Sequence, residues 1–291
     1  MSTEATKRHL VDAGGHQIAF TRSGRGPAVV LIHGIPTNAY LWRGVVPPLV
    51  AASLEVITLD LLGYGASDKP VDADLGIKAQ SGVIVEALRA LNWRGGTVVG
   101  HDIGGGIAQL IAIDHPKVVT RLVLVDSIVY DSFPEPGIAR LKEPVWDGIL
   151  GAPDFDLRKG LTKGFTRGMV HSDRITSQMI DAYERPFHGV EGRLAYLRAA
   201  RALRTEELSS RMNAIEKIEL PTLIIWGAED SFQPLKSGEH LAQTMPNGRF
   251  EVVAQAGHFL PEDAPEALGR LIAAFATSNQ KARGTPPHQG S

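Results

Sequence analysis

Cysteine is absent from the 291 residues, so disulfides, thiolate metal sites and thiol nucleophiles are excluded at once. No apolar run approaches the roughly 20 residues that a membrane-spanning helix needs. Excess charge is missing too: 30 Lys and Arg against 32 Asp and Glu leave a formal −2, which gives neither nucleic acid nor an anionic membrane surface anything to bind. The ten His are scattered with no pair at HxxxH spacing, so no metal and no other cofactor is expected. Met1 to Leu10 lacks the apolar core of a secretory signal, and the expected compartment is the cytoplasm. What remains is an ordinary globular composition, 43% hydrophobic and 21% charged, long enough for one α/β domain with an insertion or for two domains.

Strands and helices alternate along most of the chain. His9 to Arg22 alternates apolar and polar residues around Gly14-Gly15, the pattern of a hairpin. Ala28 to Ile32 and Leu54 to Leu59 are short continuous apolar runs, as in strands buried on both faces. A helix is expected from Lys78 to Leu91, then a strand through Thr97-Val98-Val99, and another strand from Arg121 to Val125. After Ile128 the strand-like runs stop, and helical patterns with aromatics continue to Ile218. Alternation resumes with Leu223 to Trp226, a helix from Leu235, Phe250 to Val253, and a last helix from Pro265 to Phe275. This order predicts an α/β fold: a mostly parallel central sheet with helices on both faces. The core is expected at 1–127 and 219–276, a helical lid at 128–218 over the C-terminal strand ends, and a disordered tail at 277–291.

One stretch carries the chemistry: Val99-Gly100-His101-Asp102-Ile103-Gly104-Gly105-Gly106, an apolar strand running straight into a helix. Small residues flank the turn, as a nucleophile elbow requires, but the reactive position holds Asp102 in place of Ser. A carboxylate is ionised at neutral pH and attacks saturated carbon without a base. Two later motifs complete the set: Trp226-Gly227-Ala228-Glu229-Asp230 at a strand end, and Ala256-Gly257-His258-Phe259 after the last strand. The order Asp102, Asp230, His258 is that of nucleophile, acid and histidine in one known fold. Asp126, also at a strand end, is the alternative acid. His101 and His33 are read as residues that pack and shape loops.

These motifs, with His33-Gly34-Ile35-Pro36 and Gly63-Tyr64-Gly65-Ala66-Ser67, resemble the α/β-hydrolase superfamily over nearly the whole chain. The aspartate resembles the branch holding haloalkane dehalogenases, fluoroacetate dehalogenases and epoxide hydrolases. The resemblance implies a two-step reaction. Asp102 forms an ester with the substrate; His258, oriented by Asp230, then activates water to hydrolyse it, while the backbone N–H groups of Ile103 and Ile35 face the oxyanion.

Two departures separate the possible activities. Haloalkane dehalogenases usually bind the departing halide with a Trp after the nucleophile and often an Asn after the His-Gly pair. This chain has Ile103 and Ile35 there, which cannot donate from their side chains. Epoxide hydrolysis is therefore the first reading, with haloalkane dehalogenation second, then an ester or lactone hydrolase, then a non-catalytic ligand-binding protein. The epoxide oxygen needs a donor from the lid, for which the candidates are Tyr183, Tyr196 and His188, with Tyr130 and His171 behind them; Trp146 is a candidate halide donor. The resemblance puts the family's tyrosine at Leu197, which predicts that Tyr196, one position away on a helix, faces aside. The expected partners are a small, largely apolar organic substrate and water. The sequence is compatible with a homodimer but does not specify one.

Overall fold

The computed structural model describes residues 7–278, so the expected tail lies outside the described residues from 279 onward. The hairpin forms as expected: β1 (His9–Asp12) pairs antiparallel with β2 (Gln17–Ser23). The sheet continues with β3 (Ala28–Ile32), β4 (Glu55–Leu59), β5 (Gly96–His101), β6 (Val119–Val125), β7 (Thr222–Gly227) and β8 (Gly248–Val253). Their spatial order is β1-β2-β4-β3-β5-β6-β7-β8, antiparallel at β1–β2 and β2–β4 and parallel from β4 to β8.

The continuous apolar runs have a simple cause. Alternate residues of β3 feed two separate cores: Val30 and Ile32 on one face, Val29 and Leu31 on the other. Each such side chain, fully buried, contributes roughly 1.5–3 kcal/mol. One core is closed by α2 (Ile77–Ala90) and α3 (Ile103–Asp114), the other by α1 (Val46–Ala51) together with the final helix (Pro265–Thr277). That last helix outruns its expected end at Phe275 by two residues.

Between β6 and β7 the chain is helical: α4 (Pro136–Ala139), α5 (Val145–Gly151), α6 (Leu157–Gly168), α7 (Ser177–Glu184), α8 (Gly189–Arg201), α9 (Glu206–Ser209) and α10 (Met212–Ile215). After β7 come α11 (Leu235–Thr244), α12 (Leu260–Asp263) and α13, the final helix already described. The helical insertion is fastened to the core along one edge. Asp263 Oδ2 accepts from the Val170 and Gly257 N–H groups at 2.9 and 2.8 Å, and its Oδ1 accepts from His171 N–H at 3.0 Å. The junction between α6 and α7 is thereby tied to the loop that carries His258. No helix among the described residues is long and apolar enough to cross a membrane.

Candidate active site

Asp102 stands between β5 and α3 at φ 54°, a backbone conformation that an L residue adopts only at a cost. The surroundings impose it. A Cβ on Gly100 would lie 2.1 Å from Gly104 O, and one on Gly104 would lie 2.4 Å from Ile32 O, so larger residues would break the turn. The turn lifts the Asp102 side chain above the strand ends, where Ile35 N–H donates to Oδ2 at 3.0 Å. The Ile103 N–H gives the carboxylate a second favourable contact. Burial nonetheless raises the Asp102 pKa to about 6; His258 and the two N–H groups oppose that rise without cancelling it.

His258 is also buried. Its Nδ1 meets Asp230 Oδ2 at 3.0 Å, and its Nε2 lies 3.9 Å from Asp102 Oδ1, beyond hydrogen-bond reach. Burial alone would lower the histidine pKa; the charge and hydrogen bond of Asp230, with help from Asp102, outweigh it and raise it. Asp230 is held in turn, its Oδ1 accepting from Phe232 and Gln233 N–H at 2.8 and 2.9 Å. The alternative acid is placed differently. Asp126 Oδ1 accepts from Gly227 N–H at 2.7 Å, Oδ2 is buried without a partner, and neither oxygen bonds His258. Burial, followed by repulsion from Asp230, pushes the Asp126 carboxyl well above the usual range.

The neighbouring histidines serve the scaffold. His101 Nε2 is 2.8 Å from His258 O, and burial lowers its pKa well below the ordinary value, so the neutral ring donates to that carbonyl. His33 Nε2 accepts from Leu61 N–H at 3.0 Å while its Nδ1 bonds Gly34 O at 2.8 Å, which shapes the loop carrying Ile35.

A cavity of about 480 Å³ opens over Asp102, with Ile35, Ile103 and His258 in its floor and the insertion as its roof. The roof corrects several expectations. Tyr183 is not in the cavity: it is fully buried beside it, its ring stacked on Phe165 at 4.9 Å and its hydroxyl bonded to Glu262. Glu262 also receives Arg43 at 2.6 Å, so Tyr183 belongs to a structural cluster. Tyr196, expected to face aside, lines the cavity, whereas Leu197 is buried in the core. The seating of α8 explains the rotation, because Arg193 donates to Leu150 O at 2.7 Å and to Ala152 O at 2.6 Å and so sets which face turns inward.

Burial raises the Tyr196 pKa to about 12, and the Glu135 charge adds to this. Among the described residues its hydroxyl has no hydrogen-bond partner, and it is the one tyrosine in the lining. His188 is exposed at the start of α8, Tyr130 pairs with Thr244 at 3.4 Å, and His171 sits at the Asp263 clasp; none of the three lines the cavity. Trp146 does, half-buried. The lining also includes Gln233, whose Oε1 is buried without a partner, and Glu135. Position in the Asp230 loop is a sequence signal for Gln233; nothing in the sequence marks Glu135.

Comparison with known proteins agrees with this architecture. Residues 27–148 and 177–265 match the alpha/beta hydrolase fold family. The chain is 32% identical over 262 residues to a 2-hydroxymuconate semialdehyde hydrolase of Pseudomonas sp. (strain CF600), covering 87% of this chain and 88% of that one. It is 28% identical over 292 residues to a fluoroacetate dehalogenase of Burkholderia sp, covering 94% of each. The crystal structure of an alpha/beta hydrolase fold protein from Burkholderia ambifaria superposes with a TM-score of 0.82 at 26% identity, over 91% of this chain and 99% of that one. Sheet order, elbow and sequence match lead to one statement: the chain belongs to the α/β-hydrolase fold family.

Proposed function

We propose that this hydrolase opens epoxides to diols through a covalent ester on Asp102. The observation that carries the reading is the asymmetric setting of one carboxylate. Asp102, which lines the cavity, has its Oδ2 held by the Ile35 N–H, whereas its Oδ1 lies 3.9 Å from His258 Nε2, beyond hydrogen-bond reach. An unencumbered, ionised oxygen beneath an apolar cavity is placed to attack carbon.

Asp102 Oδ1 attacks an epoxide carbon, the ring C–O bond breaks, and the alkoxide takes the phenolic proton of Tyr196. With a pKa near 12 that phenol is protonated at neutral pH and available as a donor. Water then attacks the Asp102 carboxyl carbon and gives a proton to His258, whose charge Asp230 stabilises. Negative charge gathers on Oδ2, where the Ile35 and Ile103 N–H groups receive it. Collapse expels the diol oxygen, which takes the proton from His258; the carboxylic acid left on Asp102 gives its proton to solvent, and solvent returns one to the Tyr196 phenolate. The diol thus leaves with the former Oδ1, and the restored carboxylate contains the oxygen of water.

Displacement of halide would run through the same ester. It is favoured by the likeness to the Burkholderia dehalogenase and by Trp146, which lines the cavity and whose indole N–H has no hydrogen-bond partner among the described residues. Product analysis separates the two readings. Styrene oxide should yield phenylethanediol, and bromoalkanes should release little bromide. Rapid bromide release with the epoxide untouched would overturn the assignment in favour of dehalogenation.

A further inference from the structure

The rim of the cavity carries charge that this chemistry does not use. Arg140, Lys159 and Lys163 all line it, all are exposed, and none is paired with a carboxylate among the described residues. Besides Asp102, two carboxylates lie in the lining. Glu135 pairs with Arg167 at 3.3 Å, and Asp156 caps α6 by accepting from Lys159 N–H at 2.9 Å. Helix α6 itself contains no acidic residue.

Lys159 and Lys163 stand one helical turn apart on one face, a like-charge arrangement that disfavours the helix unless an anion lies between the two. Arg140 lies over the Trp146 ring at 5.2 Å, which holds its guanidinium at the rim. Gly160 and Gly164 also face the cavity, and a Cβ on either would meet nothing within 4 Å. Mid-helix glycine is unfavourable and here has no packing cause, so the effect of both is to keep space open beside the lysines. Deeper in, the lining turns apolar, with Ile128, Phe133 and Leu141.

We propose that the cavity takes an apolar molecule bearing one anionic group, of which a carboxylate is the simplest, at the end remote from the reacting carbon. The anion sits among Arg140, Lys159 and Lys163, and the apolar body extends down towards Asp102. Which end reacts rests on the reading of Asp102 as nucleophile; recognition of the anion does not require turnover.

Calorimetry with undecanoate, undecanamide and undecylamine tests the site without chemistry. Undecanoate should bind roughly tenfold more tightly than the amide, the amine should bind weakest, and added salt should erode the preference. The double substitution Lys159→Glu with Lys163→Glu should reverse the order of acid and amine. Equal affinity for acid and amide, an unchanged order in the double variant, or no binding of any of the three would overturn the proposal. In parallel, His258→Gln protein treated with the terminal epoxide of undecanoate reports by mass spectrometry whether Asp102 is esterified. Binding order decides the anion site, and the adduct decides the nucleophile.

Discussion

Below the cavity, every reactive group is carried on a strand end or in a loop tied directly to one, and is held by named partners. Asp102 is fixed by its elbow and Ile35, Asp230 by two backbone N–H groups, and His258 by Asp230 and by the bond of His101 to its carbonyl. Above the cavity, the insertion is fastened along one edge at Asp263 and Glu262, while its inner face presents Tyr196 and Trp146 and its rim presents unpaired cations. On the proposed mechanism the floor performs the reaction and the roof chooses what undergoes it. Two pairs of similar residues show the difference: Asp230 against Asp126 in the floor, and Tyr196 against Tyr183 in the roof.

The floor pair gives the largest expected effect. Asp230→Asn should lower turnover by roughly 10³–10⁴-fold, because His258 loses the charge that stabilises its protonated form. Asp126→Asn should change it less than about threefold, since Asp126 does not bond His258 and an amide oxygen can still accept from the Gly227 N–H. Steady-state kinetics of both variants checks this, and equal losses would break the distinction. In the roof, Tyr196→Phe should slow epoxide opening by roughly 10²-fold, the range of a single general acid. If Tyr196→Phe is silent, the proton donor lies elsewhere.

A smaller, continuous effect follows from pH. A raised Asp102 pKa means that this carboxylate protonates as pH falls through it, so with Asp102 as the proposed nucleophile ester formation is full above that value and lost below. In His258→Gln the ester-forming burst should decline about tenfold per pH unit below a midpoint at or above 6, because removing His258 removes a group that lowers the Asp102 pKa. A rate flat down to pH 4 would contradict this. The smallest effect on activity belongs to Tyr183→Phe. Its turnover should stay within about threefold while denaturant titration shows a loss of about 1–3 kcal/mol, as for a hydrogen bond to a carboxylate.

The same division marks what could be read from the sequence. The strands were legible because burial on both faces leaves a continuous apolar run, and β3 falls where Ala28 to Ile32 predicted it. The elbow was legible because its geometry is local: Gly100, Asp102 and Gly104 meet within one turn of chain. Asp230 and His258 were legible as residues following strand ends, which a parallel sheet brings to one edge.

The roof was not legible in the same way. Whether Tyr196 or Leu197 faces the cavity depends on how α8 is rotated, and that rotation is set by Arg193 reaching carbonyls on α5 and just beyond its end, more than forty positions earlier. Tyr183 was misplaced for a similar reason, because its partner Glu262 comes from the far end of the chain. The unpaired lysines of α6 did have a local signal, a helix with basic residues a turn apart and no acid, but only the cavity gives that signal a meaning.

The measurement closest to the centre of the account follows oxygen through one turnover. Enzyme in excess over styrene oxide, in water enriched in heavy oxygen, should release a first diol containing only ordinary oxygen, while the label enters the Asp102 carboxylate. Heavy oxygen in that first diol, with none in Asp102, would show that water attacks the substrate directly and would contradict the covalent mechanism.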